Sequence, residues 1–378
     1  MVRSAVAAAG GGEFLRAIAV AALATVGVLS GLFLVAGADP LAAWAEYLVV
    51  PLTTSFSALE VLVSATPILL TGTAVAVAFL AGFWNIGAEG QLLAGCIAAA
   101  GVGLAVTDLP PWLAIPVVLC SGAVAGALWV LGPALMRVRL GIDEVVTTLL
   151  LNPVALLLVE ALLHGPWRDP VTGFPESPRI AASAELPRLV ARSRLDLGFV
   201  VAVTIIVVAW WVLSRTPVGL RMRAVGLSPH AARFAGIPVE RTLLRVALVS
   251  GAIAGVAGAI LVTGIQHRLT SGISESFGYT GIVVAMLGGL SMPGVLLAGL
   301  LLGDINVGAD AASRSLDIPS QMGAVVQGAL LLATVAVLAV RRARVARTTG
   351  REDEPPGVSL PSDGVGGVAA APSEAVAP

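Results

Sequence analysis

The sequence predicts an all-α, polytopic membrane protein of about ten spans, some of them short or broken. Three observations predict it. First, 57% of the 378 residues are hydrophobic and 12% charged, against about 45–50% and about 25% in soluble domains. Second, apolar runs close to the roughly 20 residues needed to cross a bilayer recur along the chain. Third, the arginines sort into alternate connecting segments, as the positive-inside rule requires. The mean hydropathy is +0.95. The net charge of −1 gives no reason to expect a nucleic-acid partner. The two cysteines, Cys96 and Cys120, lie in apolar runs and read as small buried hydrophobes rather than a disulfide or metal pair.

The first run, about 17–37, follows Arg3 and Arg16 and ends near the small triplet Ala36, Gly37, Ala38. It exceeds the roughly 7–15 residues of a signal-peptide core, so an uncleaved first span is expected. Further spans are expected at about 58–81, 89–106, 112–132, 144–163, 197–213 and 243–264. The run 279–308 is interrupted at Ser291, Met292, Pro293 and Gly294, a turn signal. A last run covers 319–340. Two short spans, 279–290 and 293–308, put both termini inside. The inner segments then hold fifteen of the 22 arginines, including six from Arg215 to Arg245 and five from Arg341 to Arg351. A single crossing would send that arginine-rich tail outward, against the rule. Segment 164–196, with five prolines, reads as a structured or semi-extended exterior loop. Residues 1–340 form one transmembrane domain. Residues 341–378, Pro/Gly/Ala/Ser-rich after Gly350, read as a disordered cytoplasmic tail. Small-residue spacings at Gly122 and Gly126, and at Gly251, Gly255 and Gly258, predict close helix packing.

Between the second and third spans, Gly82, Gly87 and Gly90 flank Asn85, Glu89 and Gln91. The glycines argue for a break in the helix. Irregular backbone within a membrane is tolerated only where it is buried in protein or lines water. Glu89 therefore either faces a path through the protein or caps the third span, where the helix dipole favours an acid. Asp143 and Glu144 open the fifth span as a cap, as a partner contact or as an inner gate, and Thr147, Thr148 and Asn152 add a polar stripe. Pro153 should kink that span. Glu160, His164, Gln266 and His267 fall at the outer ends of their spans, where they either contact a partner or are solvated.

The inner segment Ser214–Arg245 holds one further element. Ser228 is a good N-cap, Pro229 suits the first helical position and Gly236 suits the position after the helix. They bracket a helix of about two turns that is too short to be stable alone. It lies either on the lipid surface, with Arg233 among headgroups, or in a groove of a cytoplasmic partner, with Phe234 or Ile237 as anchor.

In order along the chain come NIGAEGQ (Asn85–Gln91), GIDEVVTTLLLN (Gly141–Asn152), GLRMRAVGLSPHAARFAGI (Gly219–Ile237), SGAIAGVAGAI (Ser250–Ile260) and GYTGIVVAMLGG (Gly278–Gly289). Over roughly 55–340 this resembles the permease subunits of ABC importers in the branched-chain amino acid/monosaccharide superfamily, and within them the nucleoside-type branch. The resemblance implies three partners: a separate ABC ATPase that holds the ATP and Mg, a substrate-binding lipoprotein, and a second permease subunit, identical or paralogous. It implies a bacterial plasma-membrane location and no cofactor on this chain. It makes the short helix a coupling helix, carried by Arg223, Ser228, Pro229, Arg233, Phe234 and Gly236. It turns the polar stretches into a candidate substrate path of Trp84, Asn85, Glu89, Gln91, Thr147, Thr148 and Asn152. Hydroxyls, amides and stacking rings suit a nucleoside, although Trp84 and Phe83 equally suit interfacial anchoring. Relatives carry an aromatic where this chain has Pro153.

No G-x-x-x-x-G-K-[ST] loop occurs, and all 22 basic residues are arginine, so P-loop ATP hydrolysis on this chain is excluded. His164, His230 and His267 are far apart in sequence, which disfavours a metal site or an intramembrane hydrolase. A proton-coupled transporter using Glu89, Glu160 or Asp304 as relay is the alternative.

Overall fold

The computed structural model describes residues 23–319 and 321–336. Among these, every regular element is helical, and two isolated bridges, Glu176 with Thr270 and Arg188 with Asp196, are the extended pairings. Helix α1 covers Leu23–Val35 and α2 Pro40–Leu48, bent by 113° from each other. A short α3, Val50–Thr53, leads into α4, Ser55–Leu80. Then come α5 (Ala88–Ala105), α6 (Pro111–Leu135), α7 (Glu144–His164), α8 (Leu197–Arg215), α9 (Pro217–Leu227) and α10 (Pro229–Phe234). The series ends with α11 (Val239–Ile260), α12 (Phe277–Leu287), α13 (Met292–Leu316) and α14 (Met322–Ala336). Wider π-type turns extend α6 to Leu140 and α11 to Gln266.

Seven of these helices are long and apolar enough to cross a membrane, eight if the bent α1–α2 pair is one span. Helices α12 and α14 are apolar but shorter. Ten spans are expected from the sequence; the described residues hold helices at the expected positions, with different lengths, and seven or eight of spanning length. The second of the two expected short spans is wrong: α13 runs 25 residues from Met292 to Leu316. Its charged second half, with Asp304, Asp310 and Arg314, hid its extent in the sequence. The break before it stands where expected, because Ser291 caps α13 by accepting from the Gly294 N–H at 3.3 Å. Helix α2 was not expected; Asp39 caps it and Pro40 opens it. Residues 1–22 and the expected tail 341–378 lie outside the described residues.

Helices α4 and α11 form the centre. Some 89% of the apolar stretch of α4 is buried, against 22% for α7 and for α8, which face outward on most of their surface. A helix apolar all round belongs in such a centre. The predicted small-residue stripes set the spacing. A Cβ at Gly126 would collide with the Gly251 carbonyl, one at Gly258 with the Leu92 carbonyl, and one at Gly95 with the Gly255 carbonyl. Backbones of α5, α6 and α11 therefore meet without intervening side chains.

Two ends of the bundle follow from the chain path. One carries α9 and α10. The other carries segment 165–196, which pairs with the residues following α11. Ser177 N–H donates to the Leu269 carbonyl at 2.9 Å, Ile180 N–H to His267 at 3.0 Å and Leu186 N–H to Thr263 at 2.9 Å. Arg268 and Glu176 add an ion pair. The loop is semi-extended, as its prolines predict.

Candidate functional site: a polar cavity on a clamped break in the bundle

The break between α4 and α5 is a non-helical stretch inside the bundle, and its polar atoms are accounted for one by one. Gly82, at φ +78°, turns the chain out of α4. Asn85 is fully buried. Its Nδ2 donates to Gln91 Oε1 and to Ser250 Oγ, both at 2.9 Å, while its Oδ1 accepts from Gln91 Nε2 at 2.8 Å and Gly87 N–H at 3.0 Å. The Ser250 hydroxyl donates to the Ala74 carbonyl at 2.7 Å. The amide pair thus ties the break to α11 and α4.

Helix α7 clamps the other side. Glu144, Thr148 and Asn152, four residues apart, share one face. Glu144 Oε1 accepts from the Trp84 N–H at 3.2 Å, and Thr148 Oγ1 accepts from the Ile86 N–H at 3.2 Å. Asn152 accepts from the Gly90 N–H at 2.9 Å and donates to the Ile86 carbonyl at 3.0 Å. Arg137 Nε neutralises Glu144 at 2.9 Å. Glu144, Thr148 and Asn152 each serve backbone that has no helical partner. Thr147 lies off this face and bonds back to Asp143 and Glu144 carbonyls. Asp143 is a plain N-cap, accepting from Val145 N–H at 2.8 Å. The proline after Asn152 does not end α7, which continues to His164. Trp84 is 42% exposed, with its ring against Phe79 at 4.6 Å. Asn152→Leu removes a donor and an acceptor from buried backbone. It is expected to cost about 2–4 kcal/mol, read as a fall of several degrees in the thermal midpoint of purified protein.

Glu89 is buried in the first turn of α5 but does not cap it; no side chain does. Its carboxylate instead sits at the start of α12. The Gly278 N–H donates to Oε2 at 2.7 Å, the Tyr279 N–H also points at it, and the Ser274 hydroxyl donates to Oε1. A carboxylate at the positive end of a helix is favourable. Thr71 of α4 holds the same corner, donating to the Phe277 carbonyl at 2.9 Å. The expectation that Glu89 caps its own span is therefore corrected: it anchors a second broken helix.

That anchored helix end floors a cavity of about 990 Å³ between α4, α12, α13 and α14. Ser276, Phe277, Tyr279 and Thr280 contribute from below, while Phe56, Glu60, Arg194, Gln266 and Glu275 place its mouth at the 165–196 end. A chain of polar groups crosses it. Thr280 Oγ1 donates to Gln327 Oε1 at 3.0 Å, Gln327 Nε2 to Asn306 Oδ1 at 2.5 Å, and Asn306 Nδ2 approaches Ser64 Oγ at 3.5 Å. Pro67 and Val63 line the α4 wall. Proline removes the N–H that would bond the Val63 carbonyl. Glu60 pairs with Arg194. Burial, with the Asp310 charge adding, raises the Glu275 carboxyl above the usual range.

None of the seven sequence-predicted path residues lines this cavity. They lie beneath it. Tyr279 joins the two layers, since its hydroxyl accepts from Asn152 Nδ2 at 3.1 Å while the residue lines the floor. The wall residues Ser64, Thr280, Asn306 and Gln327 were missed in the sequence. The available signal was the spacing of Asn306, Asp310 and Arg314 on one face of α13, cut short by ending that span at residue 308.

At the opposite end, α10 is the expected helix. Ser228 accepts from Ala231 N–H at 3.2 Å, Pro229 opens the first turn and Gly236 follows it at φ +77°. A small satellite core of Val225, Ala232 and Val239, with Ile237 against it, seats the helix. Ile237 is thereby used internally. Phe234 is 83% exposed, its ring edge against His230 at 4.9 Å. Arg233 pairs with Glu240. Arg223 is turned inward, donating to the Leu213 and Gly219 carbonyls at the α8–α9 corner.

Comparison with known proteins joins these parts. The guanosine ABC transporter permease protein NupP of Bacillus subtilis is 36% identical over 279 residues, 73% of this chain and 80% of its own. The glucose ABC transporter permease protein TsgB13 of Haloferax volcanii is 34% identical over 350 residues, 90% and 91%. The nucleoside ABC transporter permease protein NupB of Lactococcus lactis is 32% identical over 304 residues, 78% and 83%. The branched-chain amino acid transport system / permease component family matches residues 57–335, from α4 into α14. With seven apolar helices of spanning length around a polar cavity, this membrane chain belongs to that family of ABC permease components.

Proposed function

We propose that this chain is the membrane-spanning subunit of an ABC importer that moves a nucleoside, or a related sugar, into a bacterial cytoplasm. The observation that carries the reading is the polar cavity itself. Its wall offers amides and hydroxyls from four helices, and its charged liners nearly cancel: Glu60, Glu275 and Asp310 against Arg194 and Arg314. Such a lining fits an uncharged, many-hydroxyl solute. The relatives' printed substrates, guanosine, nucleosides and glucose, are of that kind.

In this reading the 165–196 end faces the exterior, where a substrate-binding lipoprotein delivers its cargo over Arg194 and Gln266. The α9–α10 end and both termini face the cytoplasm. The clamped break, with Trp84, Asn85, Glu89, Gln91, Thr148 and Asn152, closes the cavity from the cytoplasmic side, and Thr147 flanks it. Opening requires α12 to move relative to α5 and α7, because Glu89 and Asn152 bind both. A separate ATPase, which holds the ATP and Mg, grips α10 through Phe234 while Ser228, Pro229 and Gly236 fix the helix shape. Arg233 and Arg223 hold α10 and α9 against the bundle. A second permease copy or a paralogue completes the pore.

Phe234→Ala tests the coupling. Uptake of labelled guanosine, uridine, ribose and glucose by the assembled transporter in vesicles is the measurement. The variant is expected to fold at parental levels yet lose about tenfold or more in ATP-driven uptake, since exposed aromatic anchors carry much of a docking interface. Parental uptake would overturn α10 as the coupling element. Uptake that ignores ATP but collapses with an uncoupler would instead favour the proton-coupled alternative. Of its three relay candidates, Glu89 and Glu160 accept hydrogen bonds from Ser274 and Ser271, and Asp304 keeps one buried oxygen without a partner.

A further inference from the structure

A second cavity, about 410 Å³, forms a groove between α8, α9 and the first half of α11. Its walls are Ile205, Val208 and Val212 of α8 facing Val246, Val249 and Ile253 of α11. Thr204 and Thr242 also line it, but their hydroxyls already donate to the Val200 and Pro238 carbonyls. Arg221 of α9 and Arg245 of α11 stand at one end of this apolar lining. Both are exposed and neither has an acidic partner among the described residues.

From Thr242 to Ile253, with Arg245 one turn in from that end, the groove follows α11 for about 16 Å, at roughly 1.5 Å per residue. That is close to half of a hydrocarbon core of about 30 Å. Trp210 and Trp211, exposed at the same end of α8, mark the headgroup level. The groove therefore runs from headgroup level to mid-membrane: cationic and wet at one end, apolar and free of hydrogen-bonding demand along the rest.

We infer that this groove binds one anionic phospholipid of the leaflet on the α9 side, its acyl chain between α8 and α11 and its phosphate between Arg221 and Arg245. Guanidinium groups bind phosphate oxygens in a fork, and a zwitterionic headgroup adds a cation of its own that offsets the attraction to the two arginines. A second copy of this chain fits poorly, because a two-fold contact presents the same patch to itself and sets unpaired arginines against arginines. The site is separate from the polar cavity, and its lipid touches α9 and α11, the two helices on which α10 is seated.

Native mass spectrometry of the full chain, stripped of lipid and titrated with dioleoyl phosphatidylglycerol or dioleoyl phosphatidylcholine, tests this. The parent is expected to retain phosphatidylglycerol about tenfold more strongly. Arg221→Gln with Arg245→Gln should abolish that preference and leave phosphatidylcholine adducts unchanged. Val249→Trp should fill the groove and reduce both lipids. Arg215→Gln with Arg241→Gln removes the same charge nearby, outside the groove, and should keep the preference. Equal retention of the two lipids by the parent overturns the site. So does a preference that survives Arg221→Gln with Arg245→Gln, or one lost equally in the Arg215/Arg241 control. A lipid-free dimer blocked by Val249→Trp also overturns it.

Discussion

Gly255→Val is expected to leave no folded protein in the membrane. Residue 255 is where three helices touch backbone to backbone. A Cβ there would lie 3.0 Å from Gly126 N and closer still to the Gly122 carbonyl, while Gly95 of α5 presses on the Gly255 carbonyl from the other side. Backbone cannot swing aside as a side chain can, so α5, α6 and α11 would have to separate. That costs more than about 4 kcal/mol, the range reserved for gross core damage. Separation also gives up the packing that replaces the hydrophobic effect between helices in lipid. The measurement is the amount of monodisperse protein recovered in mild detergent. Gly132→Ala serves as the control, since open space surrounds that position, and it should match the parent. Recovery of Gly255→Val at parental levels would falsify the three-helix junction.

Glu89→Gln has the second-largest expected effect, and it falls on transport. The carboxylate accepts from Ser274 and from the first N–H groups of α12. A glutamine keeps one acceptor oxygen and turns an NH₂ donor toward groups that are themselves donors. Charge-assisted bonds of this kind contribute about 1.5–3 kcal/mol each. Loss of one should release the α12 start from α5 and lower uptake about tenfold or more, at about 1.4 kcal/mol per tenfold. Glu89→Asp should restore part of it, because the charge remains. A midpoint and an uptake rate both equal to the parent's would remove Glu89 from any role beyond filling space.

Much of this fold was legible. Apolar length and the Ser228–Pro229–Gly236 punctuation gave the class, most of the helix positions and α10, because each depends on local chemistry. Two kinds of feature were not. Helix α13 was cut short since Asp304, Asp310 and Arg314 look like a membrane exit, whereas they face protein or the cavity. The role of the polar residues in the α4–α5 break is not legible in the sequence, because a polar atom in an apolar run signals function and backbone repair equally. Which one applies depends on partners such as Ser250 or the Ile86 carbonyl, distant in sequence. Of the wall residues, Gln327 is a single amide in an apolar run and Asn306 sits among the charges of α13, and only the packing of α13 against α14 brings them together.

With its π-turn extension, α11 is one rod of 28 residues from Val239 to Gln266, about 42 Å long. Its first residue packs on Ala232 of α10, and Thr263 near its far end accepts from the 165–196 segment at Leu186. A stiff rod gripped at both tips behaves as a strut. A load on one tip is felt at the other along a rod whose Leu261, Ile265 and Gln266 also line the cavity. Proteins bound on the two faces of the membrane would then alter each other's affinity by equal factors.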